Sequence, residues 1–322
     1  MKIGLLDVDS HKFPNLPLMK VSAYHKAKGD EVEFLNPFQH YDIVYSSKVF
    51  GDEYSKDYEF CINADVIIEG GTGRAIAIKD GKETYIPEKD NPLPDEIEHI
   101  YPDYDLYPAL TKNTAYGFLT RGCPNNCPFC IVSKKEGRIS HKVADLSEFW
   151  RGQKNIELLD ANLLACKDCK ELLGQLIDSK ARVNFNQGLD ARFITEEVAI
   201  LLSQVNIKLI HFAFDLMKNE KQILKGLEIW AKHSPISRRE QIVYILTNYN
   251  TTFQEDYYRV KKVKELGFNP DVRIYRKQTA PQITKDLARW SNNRFLYNAF
   301  DFPDYVPRAD GKSIKEIYKG WC

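Results

Sequence analysis

The chain has 322 residues, a length that favours two domains, and 43% of its residues are hydrophobic. This composition excludes a disordered or fibrous protein and provides enough apolar residues for buried cores. No apolar run approaches the roughly 18 residues of a membrane span, and residues 2–6 are typical of a strand rather than a signal peptide. We therefore expect a cytoplasmic protein without a membrane partner.

Charged residues are unevenly distributed along the chain, although its formal net charge is zero. Residues 1–110 contain 21 acidic and 11 basic side chains, so the rest of the chain has a basic excess of the same size. A basic second half favours an anionic substrate or a nucleic acid as its partner. Attraction between the two halves is the alternative interpretation.

The first hundred residues predict a small, doubly wound parallel α/β sheet. The hydrophobic pattern predicts strands at 3–8, 31–35, 43–45 and 65–69 and a helix at 18–28. The last of these strands ends in Gly70-Gly71-Thr72-Gly73, a turn in which glycines allow a close approach to a backbone or a ligand. Residues 85–110 are acidic and rich in proline and tyrosine, which is typical of a packed linker.

A sixfold alternation of strands and helices follows. Strands are predicted at 115–120, 156–159, 182–186, 208–214, 241–247 and 271–275, and helices near 145–153, 166–178, 195–204, 217–232, 253–266 and 281–292. Six β/α units fit a partial (β/α)6 TIM-like barrel, whose site lies at the C-terminal ends of its strands. The sequence therefore predicts a first domain at 1–108, a barrel at 109–295 and a C-terminal cap or tail at 296–322.

Seven cysteines form an odd, clustered set, which favours metal or cluster ligation over disulfides in a cytoplasmic chain. They are Cys61, Cys123, Cys127, Cys130, Cys166, Cys169 and Cys322. The pair Cys166 and Cys169 shares one face of a predicted helix. An auxiliary cluster, a redox pair and two small half-buried residues are the open interpretations of this pair.

Three of these cysteines, Cys123, Cys127 and Cys130, follow the first strand of the predicted barrel with the spacing C-x3-C-x2-C. Three thiolates can bind three irons of a [4Fe–4S] cluster and leave the fourth iron without a protein ligand. A zinc site would need a fourth ligand to close its tetrahedron, which Cys166 or Cys169 would have to supply. That alternative predicts a zinc-stapled module that binds nucleic acid through the basic second half.

The spacing, together with Phe129 before the last cysteine, resembles the cluster-binding loop of the radical SAM superfamily. The resemblance implies a [4Fe–4S] cluster and S-adenosylmethionine as cofactors, with Phe129 near the adenine. It also implies reductive cleavage of S-adenosylmethionine to a 5′-deoxyadenosyl radical, which abstracts hydrogen from a substrate that the sequence does not identify. An electron donor such as flavodoxin or ferredoxin is the implied partner.

The same resemblance implies further contacts with S-adenosylmethionine at the strand ends. Asp160 and Asn162 follow the second strand, where the family binds the amino group. After the third strand, Arg192 is expected to pair with the carboxylate of the cofactor through two parallel hydrogen bonds. A structural ion pair with Asp190 is the alternative for this arginine.

Later strand ends carry further candidates. Asp215 and Asn248 follow the fourth and fifth strands and are expected to contact ribose hydroxyls or substrate. His211 lies inside a strand, which favours a core histidine. The positive charge of Arg276 and Lys277 after the last strand indicates either an anionic substrate or a solvated rim.

The N-terminal sheet resembles the cobalamin-binding, Rossmann-type domain of many radical SAM enzymes, which is marked by D-x-H-x-x-G and a later Gly-Gly. Asp9, His11 and Gly70-Gly71 match this pattern, but Pro14 stands where a glycine is expected. Proline fixes φ and removes an N–H, which favours a sheet that has lost its cofactor, with His11 as a loop side chain. The alternative is a cobalamin-dependent radical SAM methyltransferase in which His11 ligates cobalt.

Overall fold

The computed structural model describes residues 1–79 and 82–320, and the chain divides into two compact units, Met1–Ala161 and Asn162–Cys322. The predicted domain boundary after residue 108 falls inside the first unit and stays a prediction. Cys322, at the end of the predicted tail, lies outside the described residues. In the part of the chain that is described, no helix is long and apolar enough to cross a membrane.

The first unit contains ten strands and four short or medium helices among its described residues. In chain order they are β1 (Lys2–Asp7), α1 (Leu16–Ala27), β2 (Glu31–Phe34), β3 (Tyr41–Ser47), β4 (Ala64–Gly70), β5 (Ile76–Lys79), β6 (Lys82–Tyr85), α2 (Asp95–Glu98), α3 (Pro108–Thr111), β7 (Thr114–Gly117), β8 (Thr120–Arg121), α4 (Val132–Lys135), β9 (His141–Lys142) and β10 (Asn155–Leu158).

Strands β1 to β4 form the predicted parallel sheet, with the order β2-β1-β3-β4. The side chain of Asn15 caps α1 by accepting the N–H of Leu18, and the apolar face of this helix packs on the sheet. A doubly wound sheet has helices on both faces, but residues 48–63, which connect β3 to β4, contain no helix. The parallel sheet is therefore confirmed, whereas its second helical layer is missing at this connection.

The proline-rich linker is packed against the first sheet. It contains the short helices α2 and α3, and Ile97 of α2 belongs to the same apolar cluster as Leu5 of β1. The hydroxyl of Tyr107 donates to a carboxylate oxygen of Asp7 at 2.7 Å. Burial and this hydrogen bond raise the pKa of Tyr107, so the phenol stays protonated and remains a donor.

The second unit alternates helices and strands over most of its length. In chain order its elements are α5 (Cys169–Ser179), β11 (Arg182–Leu189), α6 (Glu196–Gln204), β12 (Ile207–Ala213), α7 (Glu220–His233), β13 (Gln241–Thr247), α8 (Phe253–Glu265), β14 (Asn269–Ile274), α9 (Gln282–Ser291), α10 (Arg294–Ala299) and α11 (Ile314–Ile317).

A six-stranded parallel sheet has the order β14-β13-β12-β11-β10-β7, so all six strands predicted for it are present. Five of the six predicted helices, α5 to α9, are also present. The helix predicted near 145–153 is wrong, because only a 3-10 turn forms at Leu146–Glu148. Phe149, with φ −130°, already leaves the helical region, so the turn does not continue into a regular helix.

We predict opposite effects on stability from alanine at two helical glycines of the second unit. A Cβ at Gly226 of α7 would lie 1.8 Å from the carbonyl oxygen of Ala191, whereas one at Gly174 of α5 would meet no atom within 4 Å. Gly226→Ala should lower the free energy of unfolding by about 2 kcal/mol or more. Gly174→Ala should raise it by up to about 1 kcal/mol, because alanine is the better helix former. Denaturant unfolding of the two variants measures both effects, and a stable Gly226→Ala variant would contradict the close packing.

Candidate functional site

The three motif cysteines lie in a loop of the first unit, and a short antiparallel ladder closes the base of this loop. Strands β8 and β9 pair with each other at the base of residues 122–140. The N–H of Cys123 donates to the carbonyl of Gly137 at 3.1 Å, and the N–H of Cys130 donates to that of Cys127 at 3.0 Å. The first bond ties the start of the loop to its end, and the second folds Cys127 and Cys130 into one turn.

Gly122 fixes the entry into this loop. Its φ is +84°, and a Cβ at this position would lie 2.2 Å from the carbonyl oxygen of Ile139. Its N–H donates to one carboxylate oxygen of Glu136 at 3.0 Å, while the other oxygen of Glu136 accepts the guanidinium of Arg121 at 2.9 Å. The carboxylate of Glu136 thus contacts both residues that precede Cys123. Only glycine fits at position 122, because the carbonyl of Ile139 lies directly beside it.

The donor set of the loop agrees with an iron–sulfur cluster in number and chemistry. Cys123, Cys127 and Cys130 are half-buried, as is Phe129 between them, and no cysteine of the described residues forms a disulfide. Three thiols are the ligands that a [4Fe–4S] cluster with one open iron requires. The described residues contain no group of three or more His, Cys, Asp or Glu side chains arranged to hold a metal ion.

Asp160 supports the strand that leads into the loop. Its Oδ1 accepts the N–H of Thr120 at 2.5 Å and the hydroxyl of the same residue at 2.7 Å. The N–H of Leu119 donates to both carboxylate oxygens, at 3.1 and 3.2 Å. Burial raises the pKa of Asp160 to about 6, although these hydrogen bonds favour the ionised form. The predicted contact of Asp160 with S-adenosylmethionine stays a prediction, and the observed partners of its carboxylate are the N–H groups of Leu119 and Thr120 and the hydroxyl of Thr120.

In the second unit, Asn162, Asp190 and Arg192 form one hydrogen-bonded group. The guanidinium of Arg192 donates through Nε and Nη2 to the two carboxylate oxygens of Asp190, at 2.8 and 2.7 Å. The amide of Asn162 donates to the same carboxylate at 3.3 Å. The ion pair that the sequence left as an alternative is therefore present. The expected contacts of Asn162 and Arg192 with S-adenosylmethionine stay predictions.

Asp215 follows β12 and accepts the N–H of Leu246 at 2.8 Å. Burial raises the pKa of this carboxyl group. Nearby, the fully buried guanidinium of Arg259 donates to the carbonyls of Phe214, Asp215 and Leu246 and to the carboxylate of Asp256. Sequence reasoning missed Arg259, because a charged residue on an amphipathic helix is normally solvated. Together these groups hold the C-terminal ends of β12 and β13.

One face of the second-unit strands, the polar face, carries polar side chains beside half-buried apolar ones such as Ile242 and Leu246, whereas the other face is largely apolar and buried. The apolar face includes Phe185, Ile210, Phe212, Val243, Ile245 and Val272. The polar face includes Asn184, Asn186, His211, Tyr244, Asp271 and Arg273, which the alternation of side chains and the strand register place on the same side. The half-buried positions of β13 are Ile242, Tyr244 and Leu246, so the residue types of this strand show no polar alternation from which the face could have been predicted.

Three planar groups stack across this polar face. The rings of His211 and Tyr244 are nearly parallel, with centroids 4.9 Å apart. The guanidinium of Arg273 lies 5.2 Å from the ring centroid of Tyr244. His211 is buried, as expected, but it faces the polar side, where Nδ1 contacts the carbonyl of Phe185 at 2.9 Å. The polar edges of His211, Tyr244 and Arg273 therefore lie next to one another on neighbouring strands, where they can form hydrogen bonds.

The second cysteine pair lies at the start of α5. Cys166 and Cys169 are buried, and the N–H of Cys169 donates to the carbonyl of Cys166 at 3.1 Å. Burial raises the pKa of the Cys169 thiol, so its thiolate is disfavoured. These features are those of small core residues, and the roles in a redox pair or an auxiliary cluster have no further support.

The C-terminal edge of the four-stranded sheet is filled by the protein's own side chains. Asp7 accepts the N–H of Ser10 and the hydroxyl of Tyr107, while the amide of Asn15 donates to the hydroxyls of Ser10 and Ser47. Doubly wound sheets commonly bind ligands at this edge. These side chains therefore satisfy one another where a ligand would otherwise be expected.

The residues of the cobalamin-like pattern also contact other parts of the chain. Both carboxylate oxygens of Asp9 accept backbone N–H groups, and His11 is exposed. Gly71 has φ +95°, and a Cβ there would lie 2.2 Å from the carbonyl oxygen of Lys48. The glycine pair thus allows a close approach to the protein's own backbone.

Comparison of the chain with models of known protein families gave no match, and comparison with curated proteins gave none either.

We predict that Gly122→Ala destabilises the first unit far more than Gly137→Ala does. Both glycines have positive φ, but a Cβ at Gly137 would meet no atom within 4 Å. Gly137→Ala should therefore cost about 1 kcal/mol from backbone strain alone. Gly122→Ala adds the clash with Ile139 and should cost about 2 kcal/mol or more. Equal unfolding free energies of the two variants would contradict the close approach.

Asp160 predicts a pH dependence of stability. Its pKa is raised from an ordinary value of 3.8 to about 6, so between these values the folded chain binds the extra proton. Stability from this group therefore falls as the pH rises through 6, by about 1 kcal/mol between pH 5 and pH 7. Asp160→Asn should remove this component of the pH dependence, whereas Asp178→Asn, at an exposed aspartate of α5, should retain it. Denaturant unfolding at pH 5 and pH 7 measures this change. The same change in unfolding free energy in the wild type, Asp160→Asn and Asp178→Asn would refute the prediction.

Proposed function

We propose that the chain is a radical SAM enzyme whose cluster ligands are Cys123, Cys127 and Cys130. When bound, a [4Fe–4S] cluster and S-adenosylmethionine would supply a 5′-deoxyadenosyl radical that abstracts hydrogen from the substrate. The cysteine loop carries this proposal, because it joins the C-x3-C-x2-C spacing to three half-buried thiols in one closed excursion. The reaction that follows hydrogen abstraction is not assigned.

The residues around the loop suit the task of holding a cluster. Glu136 accepts the N–H of Gly122, which directly precedes Cys123, and the ladder of β8 and β9 closes the loop at its base. Asp160 holds the strand segment that enters the loop. In this proposal the role of these three residues is to position the thiols, and Phe129 covers the adenine of S-adenosylmethionine.

The six-stranded parallel sheet supports the proposal at the level of the fold. Such a sheet is the element that a partial (β/α)6 barrel requires, and barrel enzymes bind ligands at the C-terminal strand ends. In the second unit, Asn162, Arg192 and Asp215 occupy such ends. They remain the residues proposed to contact S-adenosylmethionine, and the polar face with His211 and Tyr244 is proposed to contact substrate.

We predict that Cys127→Ala abolishes both cluster binding and cleavage of S-adenosylmethionine. After anaerobic reconstitution, the wild-type chain should contain about four irons with sulfide. Reduced protein should then release 5′-deoxyadenosine, which chromatography measures. The matched control is Cys61→Ala, since Cys61 is exposed and lies outside the loop. This control should retain iron and activity.

Two outcomes of this experiment would overturn the proposal. One bound zinc without sulfide would favour the zinc-stapled module. Undiminished cleavage of S-adenosylmethionine by Cys127→Ala would refute the ligand assignment. Binding of a corrin that His11→Ala abolishes would instead favour the cobalamin-dependent methyltransferase.

A further inference from the structure

The loops that follow β13 and β14 have an unusual backbone. Three of the five non-glycine residues with positive φ in the described chain lie in these loops. They are Asn248 at +60°, Asn250 at +48° and Arg276 at +47°. Asparagine tolerates this conformation, but arginine adopts it only against steric strain. Such strain persists where the surrounding structure holds it and clusters at ligand sites.

The two loops are joined to each other by specific contacts. The amide of Asn248 donates to the carbonyl of Tyr275 at 2.8 Å, and the N–H of Tyr275 donates to the carbonyl of Thr247 at 3.0 Å. The rings of Tyr249 and Tyr275 meet edge to face, with centroids 4.9 Å apart. The loops therefore form one structured rim at the C-terminal ends of these strands, where parallel sheets bind ligands.

The rim carries more positive charge than the ion pairs among the described residues neutralise. The guanidinium of Arg273 pairs with Asp271 at 2.7 Å. Arg276 and Lys277 are exposed, and no carboxylate among residues 1–79 and 82–320 forms an ion pair with either of them. The guanidinium of Arg276 instead lies 5.4 Å from the ring centroid of Tyr275, which orients it beside the aromatic pair. Two cationic groups that form no ion pair with a described carboxylate match a doubly charged anion.

The residue type at position 276 strengthens this argument. A glycine would adopt φ +47° without strain, and the exposed side chain of Arg276 contributes no packing to a core. The fold therefore gains nothing evident from an arginine at this position. A side chain that binds an anion would account for it.

We propose that this rim binds the phosphate group of a phosphate monoester, with Arg276 and Lys277 as the anion ligands and Tyr249 and Tyr275 beside them. The role of this ester as the substrate rests on the proposed function. Binding of the phosphate itself does not, because it needs neither cluster nor S-adenosylmethionine. The guanidinium offers the two parallel donors that suit phosphate oxygens, and the ammonium adds a point charge.

The test is titration of the purified full chain, before any cluster is reconstituted, with inorganic phosphate at low ionic strength, followed by phosphorus NMR. Acetate at the same ionic strength is the control anion. The double variant Arg276→Gln/Lys277→Gln should weaken phosphate binding at least tenfold. Lys221→Gln/Lys225→Gln removes two exposed charges of α7 and should change it less than twofold. Phosphate binding no tighter than acetate binding, or an equal loss in both double variants, would overturn the proposal.

A second variant separates binding from folding. Arg276→Gly should relieve the strained φ and raise the midpoint of thermal unfolding by about 2 °C, while phosphate binding falls. A lower midpoint with weaker binding would instead identify Arg276 as a structural residue and refute its role as an anion ligand. Failure of cluster reconstitution would leave both phosphate results unchanged, so this proposal and the proposed function fail separately.

Discussion

A carboxylate that is buried or half-buried after a parallel strand must find hydrogen-bond donors, and this constraint shapes the candidate site. An aspartate follows each of β10, β11 and β12. Asp160 accepts the N–H groups of Leu119 and Thr120, Asp190 accepts the guanidinium of Arg192, and Asp215 accepts the N–H of Leu246. Each carboxylate thus holds a neighbouring loop or strand end in place. The positions that would bind a ligand are organised by charges that already have partners within the protein.

The cysteine loop depends on the same kind of support. Thiols that bind one cluster must come from a loop whose two ends are held in place. Glu136 binds both Arg121 and the N–H of Gly122, and the missing side chain of Gly122 lets the returning chain pass within contact distance. The free energy of these contacts is modest individually, but they act on consecutive residues next to Cys123. Under the proposed function, this fixed base would position the half-buried thiols of the loop.

The C-terminal edge of the first parallel sheet is filled by the protein's own groups. The residues at its C-terminal edge, Asp7, Ser10, Asn15 and Tyr107, satisfy one another. The sequence pattern around His11 and Pro14 pointed to a lost cofactor through the chemistry of proline alone. The loss of a cofactor stays a prediction. The structure shows that Tyr107 of the linker donates to Asp7 at this edge and that the backbone of Lys48 closely approaches Gly71.

The sequence by itself determined ten of the fourteen strands in the described chain, because alternation and apolar runs are local properties: Gln241–Thr247 forms a strand over the predicted residues, and all five helices from α5 to α9 follow their predicted patterns. It missed β5, β6, β8 and β9, which are only two to four residues long. The spacing of Cys123, Cys127 and Cys130 also predicted that these three residues share one loop. Tertiary structure alone decided the partners of Asp160, the contacts of the buried Arg259 with the strand ends and the stack of His211 on Tyr244, since each joins residues that are distant along the chain. It likewise decided the strained φ of Arg276, because a backbone conformation of this kind depends on the neighbouring loop rather than on residue type.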